Sequence, residues 1–172
     1  MSDNGKFLDI IRERDIDGLI ALDRGGKEDF LFALIYDHLA NMPLSEMNEA
    51  QKTLFLASRL EDTCQADALP SLSEDEELFL ALSEIKRAYE RLGADKTAAL
   101  LEEFISLLPA GKALTVPEWD WFFENERNDI IKRIDGEIGD YPDGAMTEKY
   151  IDYISNRENA SEILMNLNRK ED

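Results

Sequence analysis

The sequence predicts an all-α fold, a single-domain bundle of about seven to eight helices that takes in residues 1–172. Apolar residues recur at intervals of three and four along most of the chain, which is the spacing of one helix face. Valine occurs once, at Val116, and no segment alternates apolar and polar residues as a half-buried strand does. Proline and glycine residues separate the apolar stripes and predict where the helices end.

The first 41 residues are predicted to form two helical segments. One apolar stripe runs through residues 7–20 and predicts a helical hairpin or a bent helix, which ends at the glycine pair 25–26. A second stripe runs through residues 30–39 and predicts a helix that ends at Met42 and Pro43. Proline sets this end because it biases the preceding residue away from helical angles.

Three further helices are predicted in the middle of the chain. Ser45 is positioned to cap the first of them, which extends to about residue 64. Residues 73–76, Ser-Glu-Asp-Glu, form a capping box that begins the second helix, and Gly93 ends it. Asp95 is positioned to cap the third helix, whose wide apolar stripe predicts a central position in the bundle.

The last third of the chain is predicted to contain a longer helix, a loop and two short helices. Residues 115–118, Thr-Val-Pro-Glu, form a second capping box, and the helix that they begin reaches Ile134. Three glycines and a proline lie within residues 136–144 and predict an irregular loop. One short helix begins at Thr147, and a last helix carries Ile163, Leu164 and Leu167.

The acidic excess decides which partners are plausible. The chain has 38 acidic and 19 basic residues, a formal charge of -19 and a pI near 4.3. Such a charge repels phosphate, which excludes nucleic acid and anionic membranes as partners and favours the basic surface of another protein. The sequence leaves open whether the protein is a monomer or a homodimer.

A cytoplasmic location is expected from three further features. Cys64 is the only cysteine, so no intramolecular disulfide can form and a reducing compartment fits best. The N-terminus has neither the basic start nor the apolar run of a signal peptide. No stretch approaches the ~18 apolar residues that a membrane-spanning helix needs.

Motifs for catalysis are absent from the sequence. His38 is the only histidine, and neither His38 nor Cys64 lies in a recognised nucleophile motif. The chain also has no glycine-rich loop of the kind that binds nucleotides. We therefore expect no enzymatic activity and no cofactor.

Two alternatives remain open at this stage. A cation-binding protein or a small carboxylate-dependent enzyme would use the acidic residues from Glu124 to Asp143. The loop 135–144 is rich in oxygen ligands, but its glycines and its missing twelfth-position glutamate do not match an EF-hand. The second alternative is a neutralising partner of a basic toxin, which the sequence does not separate from other acidic binding proteins.

Acidic residues on the predicted helices are the candidates for binding a basic partner. Carboxylates four residues apart on a helix are separated by about 6 Å along its axis, which is the order of the spacing between phosphates. A competing interpretation is that acids at a helix start only complement the helix dipole. The candidate partner-binding residues are Glu61, Asp62, Glu74, Asp75, Glu76, Glu77, Glu102, Glu103, Glu124, Glu126 and Asp129.

Three short motifs resemble a family of small acidic bacterial proteins that includes DNA mimics. They are Leu-Gly-Ala-Asp-Lys-Thr-Ala-Ala-Leu-Leu at 92–101, Ile-Asp-Gly-Glu-Ile at 134–138, and Tyr-Ile-Asp-Tyr-Ile-Ser-Asn at 150–156. The resemblance covers residues 45–156 and leaves the N-terminal helices of residues 1–41 outside it. Family members commonly carry a Gly-Gly-Phe segment, and this chain has Asp-Thr-Cys-Gln-Ala-Asp-Ala-Leu-Pro at that place, residues 62–70.

The resemblance implies an all-helical fold and no known catalysis. It also implies a surface whose carboxylates imitate the phosphates of duplex DNA, and a partner that is itself a DNA-binding protein. The family motifs in this chain consist mostly of packing residues, so no individual binding residue is transferred from the family.

Overall fold

The computed structural model of this protein describes residues 3–66, 69–108, 118 and 128–167. These residues form helices and short connections and include no strand, which confirms the all-α prediction. They contain ten α-helices, eight of which have seven or more residues. The helices are α1 (Asp3–Glu13), α2 (Ile16–Ile20), α3 (Arg24–Phe32), α4 (Glu49–Ala66), α5 (Glu76–Leu80), α6 (Leu82–Arg91), α7 (Asp95–Leu107), α8 (Asn128–Gly139), α9 (Met146–Ser155) and α10 (Arg157–Ile163).

The contacts between Cα atoms divide the chain into two compact units. The first unit consists of Met1–Phe55 and Met146–Asp172, and the second is the continuous segment Leu56–Ala145. The boundary falls inside α4, so this helix contributes residues to both units. Because the division does not test independent folding, the single domain over residues 1–172 stays a prediction. No helix in the described ranges has the length and apolar content that would let it cross a membrane.

The first unit packs its N-terminal helices against α9 and α10. Helix α9 contacts α2 and α3, and α10 contacts α2 and α9. Phe7 of α1 and Phe30 of α3 meet edge to face with their ring centroids 6.0 Å apart. The fully buried residues of this unit include Leu19, Leu34, Leu39, Ile154 and Ile163. The apolar stripes predicted from the sequence therefore form this core.

The glycine pair 25–26 lies in the first turn of α3, so the helix end predicted there is wrong. The Asp23 carboxylate accepts the amide N–H of Gly26 at 2.8 Å and caps the helix. Asp15 caps α2 in the same way, through the amide N–H of Gly18 at 2.8 Å. These carboxylates satisfy amides that have no partner within the helix, which offsets the low helix propensity of glycine.

Helix α3 continues without interruption into two further helical segments, the first wider and the second tighter than an α-helix. A π-helix (Ala33–His38) follows it directly, and a 3-10 helix (Leu39–Asn41) follows the π-helix. Met42 then adopts an extended backbone, with φ −106° and ψ 132°. The helix end predicted at Met42 and Pro43 is confirmed.

Helix α4 is capped by Asn48 and not by Ser45. The Asn48 side-chain carbonyl accepts the N–H of Gln51 at 3.0 Å, and the Gln51 side-chain carbonyl accepts the N–H of Asn48 at 3.1 Å. This reciprocal pair is a capping box with an amide in the place of the usual carboxylate. Ser45 lies in a 3-10 helix (Leu44–Glu46), three residues before the position that the cap requires.

The same two amides connect the start of α4 to the end of the chain. The Gln51 side-chain N–H₂ donates to the carbonyls of Ile163 at 2.9 Å and Met165 at 2.7 Å. The Asn48 side-chain N–H₂ donates to the carbonyl of Glu162 at 2.7 Å. Gln51 is completely buried, so no water can replace these bonds. Two side chains therefore satisfy three carbonyls at the C-terminus of α10.

The second unit packs α6 along α7, and α7 against α8. The stretch predicted as one helix up to Gly93 forms two helices, because the backbone leaves helical geometry at Ala81, with ψ 6°. Gly93 ends α6 with φ 68°, as predicted. The residues predicted to share one helix face are all buried: Leu78, Leu82, Ile85, Tyr89 and Leu92.

The capping box predicted at residues 73–76 is wrong. Ser73 lies within a 3-10 helix (Leu69–Glu74), so it does not stand at the start of an α-helix. Asp75 caps α5 by accepting the N–H of Leu78 at 3.1 Å. The second predicted box, residues 115–118, lies outside the described residues except for Glu118.

The loop predicted at residues 136–144 is shorter than expected. Gly136 and Gly139 are inside α8, and the loop begins at Asp140. Both glycines face open space, with nothing within 4 Å of the position that a Cβ would occupy. An exposed helical glycine costs only about 1 kcal/mol relative to alanine, and the buried residues Ile131, Ile134 and Ile138 hold the helix in place.

We predict that Gln51→Leu strongly destabilises the first unit. The substitution keeps a similar volume but leaves one amide and two carbonyls unpaired in a buried environment, at a cost of about 3 kcal/mol. Urea unfolding followed by circular dichroism measures the change. The control is Gln65→Leu on the same helix, which should shift stability by less than about 0.5 kcal/mol, because the bonds of Gln65 to Glu61 and Tyr141 are exposed and water can replace them. Equal effects of the two substitutions would contradict the role of the buried amide.

Candidate protein-interaction surface

All eleven candidate partner-binding residues belong to the second unit, Leu56–Ala145. This unit contains 21 acidic and 9 basic residues and therefore carries a formal charge of −12. The first unit, with 17 acidic and 10 basic residues, carries −7. The second unit thus carries most of the acidic excess that a basic partner would meet.

The acidic run at residues 74–77 lies around the start of α5. Glu76 and Glu77 occupy the first helical turn and are exposed to solvent. Asp75 is engaged as the N-cap, and its carboxylate lies 3.7 Å from the Arg59 guanidinium. Glu74 ends the 3-10 helix that precedes α5. Among the side chains of this run that the structure describes, the exposed carboxylates are those of Glu76 and Glu77.

Glu102 and Glu103 on α7 are both paired with basic side chains of neighbouring helices. Lys86 of α6 bonds Glu102 and also lies 3.5 Å from Glu90. Arg133 of α8 bonds Glu103, and lies 2.9 Å from Glu137. The hydrogen bond to Glu102 raises the pKa of Lys86, and the bonds to the two glutamates raise that of Arg133.

Glu61 and Asp62 are half-buried on α4 and lie near two tyrosines. Burial raises the pKa of Tyr89 well above its ordinary value, and the negative charges of Glu61 and Asp62 raise it further. The Tyr89 hydroxyl donates to the Ala57 carbonyl at 3.1 Å. The pKa of Tyr141 is raised by burial first and then by the charge of Glu61. The charges of these two acids therefore affect the pKa values of nearby tyrosines, in addition to contributing to the surface charge of the unit.

Asp129 is the remaining candidate that the structure describes. It is exposed and lies in the first turn of α8, where its charge complements the helix dipole. Glu124 and Glu126 fall outside the described residues. In the described part of the chain, Glu76, Glu77 and Asp129 are exposed candidates for which no ion pair is present.

Two aspartates with structural roles were missed by the sequence analysis. Asp143 accepts the amide N–H of Lys96 at 3.1 Å, the amide N–H of Thr97 at 2.7 Å and the Thr97 hydroxyl at 2.8 Å. Asp143 therefore caps α7, and the cap predicted at Asp95 is wrong, since Asp95 is itself the first helical residue. Asp135 accepts the amide N–H of Leu69 at 2.6 Å.

These bonds engage two acids of the segment that was considered for cation binding. The described residues contain no group of three or more His, Cys, Asp or Glu side chains arranged to hold a metal ion. Asp143 and Thr97 are 46 positions apart, so no local spacing in the sequence points to their contact.

The pKa of Cys64 is raised, whereas that of a catalytic thiol is lowered. Burial raises the pKa of Cys64 to about 12, and the charge of Asp135 contributes to the increase. A nucleophilic cysteine needs a lowered pKa, because the thiolate is the reactive form. His38, the other residue considered for nucleophilic chemistry, ends the π-helix of the first unit, and Cys64 belongs to the second.

Comparison with known proteins gives one match. The family model described as DMP19-like protein matches residues 45–157. No curated protein and no solved structure matches the chain. The matched segment agrees with the region of resemblance, residues 45–156, and covers more than half of the chain.

We predict that Asp143→Ala destabilises the protein by about 1 to 2 kcal/mol, the usual cost of losing a helix cap. The substitution leaves the amides of Lys96 and Thr97 without their acceptor. Thermal unfolding measures the loss, and Asp140→Ala is the matched control because Asp140 is an exposed aspartate of the same loop. A loss of similar size for Asp140→Ala would show that the acceptor role of Asp143 is unimportant.

We also predict that Cys64 reacts slowly with iodoacetamide in the folded protein. With a pKa of about 12, the thiolate fraction at pH 8 is on the order of one in ten thousand, against about one in ten for a free cysteine. Labelling should be about a thousandfold faster in denaturant than in buffer. Since the folded pKa is raised, the reaction should accelerate only as the pH rises well above 9. Rapid labelling at neutral pH would contradict the burial of the thiol.

Proposed function

Because the chain belongs to the DMP19-like protein family, a DNA-mimic protein family, we propose that it is a non-enzymatic DNA mimic. Its partner in this proposal is a DNA-binding protein whose basic surface it covers in the cytoplasm. The family is not a known enzyme family. The observation that carries the proposal is that the residues matched by the family model also carry most of the negative charge. Residues 45–157 contain 25 acidic and 12 basic residues, which gives −13 of the total −19.

The candidate acids differ in how well they are placed to contact a partner, because some of them already have a counterion. Glu102 and Glu103 already have Lys86 and Arg133 as counterions, so a partner would have to displace these cations to bind them. Exchanging one exposed ion pair for another yields little free energy, since such pairs contribute about 0 to 1 kcal/mol. The exposed carboxylates of Glu76, Glu77 and Asp129 form no ion pair with the described residues and are better placed to gain from a basic partner.

The segment that departs from the family pattern affects the kind of binding that we expect. Residues 62–66 continue α4 in this chain, where the family commonly has the Gly-Gly-Phe segment. Aromatic side chains supply much of the salt-independent energy of protein interfaces. Without this contribution, recognition would rest mainly on charge, and the affinity would fall steeply as salt rises.

Capture on the immobilised protein, followed by DNA competition, tests the proposal. Nuclease-treated lysate of the source organism is applied at low salt, and bound proteins are eluted with duplex DNA or with polyglutamate of equal charge. We expect DNA-binding proteins to be enriched, and duplex DNA to release them at lower concentration than polyglutamate. Absence of DNA-binding proteins from the eluate, or equal release by both polymers, would refute DNA mimicry.

Charge-neutral variants localise the binding surface. We expect Glu76→Gln/Glu77→Gln to lower the affinity for the captured protein by about three- to tenfold, since two exposed carboxylates are lost. The control is Asp29→Asn/Glu158→Gln. Both of these acids are exposed, lie outside residues 45–157, and carry the same total charge. Surface plasmon resonance compares the variants, and an equal effect of the control pair would indicate attraction by net charge alone.

A further inference from the structure

A small cavity of about 230 Å³ lies in the first unit, beside the π-helix. Its polar lining residues include Asp37 and His38 at the end of the π-helix, and Asn41 and Glu46 from the following turns. Its other lining residues are Met42, Pro43, Asn166 and Leu167. The cavity therefore combines two carboxylates, two side-chain amides and apolar walls. π-Helices of this kind occur often at functional sites.

The charges around the cavity favour a cation. Asp37 and Glu46 are exposed acids, and no ion pair engages either of them in the described part of the chain. Neither lysine nor arginine occurs among the lining residues that the structure describes. The side-chain carbonyl of Asn166 is a further acceptor for N–H donors. A positively charged ligand would meet two carboxylates and, among the described lining residues, no lysine or arginine.

The volume and the apolar walls limit the shape of that cation. A space of about 230 Å³ holds about seven or eight groups of the size of water, at roughly 30 Å³ each. It is smaller than the roughly 300–1,000 Å³ of pockets for drug-sized ligands. The side chain of arginine has seven non-hydrogen atoms beyond Cα, with a planar guanidinium at the end of an apolar stem. Met42, Pro43 and Leu167 offer apolar surface to such a stem, and the carboxylates offer acceptors to its head.

From this combination we infer that the cavity binds an alkyl-guanidinium group, supplied either by a small free guanidine or by an arginine side chain of a polypeptide. Of the lining residues, Glu46 alone falls within the segment that the family model matches. The inference is therefore independent of the proposed DNA mimicry, and each can fail without the other.

Titration of the full chain with defined probes tests the inference. The probes are agmatine, N-acetyl-arginine methylamide, and N-acetyl-citrulline methylamide, which has the same shape as the arginine probe but no charge. NMR chemical shifts of the Asn41 and Asn166 side-chain amides report binding in the cavity. We expect saturable binding of at least one guanidine and no binding of the citrulline probe. Preference for agmatine identifies a free guanidine as the ligand, and preference for the arginine probe identifies a polypeptide side chain.

Three variants separate the cavity from the general negative field. Asp37→Asn/Glu46→Gln should weaken guanidine binding at least about tenfold, because both charge-assisted hydrogen bonds are lost. Met42→Trp leaves the charge unchanged but fills the space, and it should abolish binding. Asp29→Asn/Glu158→Gln removes the same charge elsewhere in the first unit and should leave the affinity within about twofold.

Two results would overturn the inference. One is the absence of saturable binding of both guanidines up to millimolar concentration, or binding of the citrulline probe with equal affinity. The other is an equal loss of affinity in the Asp29→Asn/Glu158→Gln variant, which would assign the attraction to net charge. Circular dichroism establishes that each variant is folded before its affinity is interpreted.

Discussion

The buried amide of Gln51 is the constraint on which the first unit depends. It joins the start of α4 to carbonyls 112 and 114 positions later in the chain, and it also takes part in the cap of α4. A buried side chain that satisfies three backbone groups at once has no substitute of equal geometry, because water is excluded and only asparagine, whose side chain is shorter, offers the same donors and acceptor. The Met165 carbonyl that Gln51 binds directly precedes Asn166 and Leu167, which line the cavity beside the π-helix.

The acidic residues serve two purposes, as helix caps and as exposed charge. Four aspartates supply caps: Asp15, Asp23 and Asp75 cap the helices that follow them, and Asp143 caps α7 from a distant loop. Glutamates supply much of the exposed charge, either unpaired at helix starts or in ion pairs along helix faces. The short aspartate side chain reaches a nearby amide, and the longer glutamate reaches solvent or a neighbouring helix. A formal charge of -19 therefore overstates the charge that is free to meet a partner.

Much of the helical frame could be predicted from the sequence, because apolar periodicity and the breakers at Pro43 and Gly93 are local signals. The errors at helix starts have two causes. At Ser45 the sequence offered a competing local signal, because Asn48 and Gln51 have the spacing of a capping box and cap α4 instead. At Asp95 the cause is tertiary, because Asp143 accepts the Thr97 amide N–H from 46 positions away, which no local spacing reveals. The candidate acids could be listed from the sequence, but their pairing with Lys86 and Arg133 requires the packing of α6, α7 and α8.

The discontinuity of the first unit has a consequence for synthesis on the ribosome. The second unit, Leu56–Ala145, is one uninterrupted segment, so all of its contacts become available while the rest of the chain is still being made. The first unit must wait, because the carbonyls that Gln51 binds belong to residues 163 and 165. The nascent chain therefore carries the polar start of α4 with an incomplete set of acceptors until residue 165 has been synthesised. Vectorial synthesis imposes an order of assembly that refolding from denaturant does not.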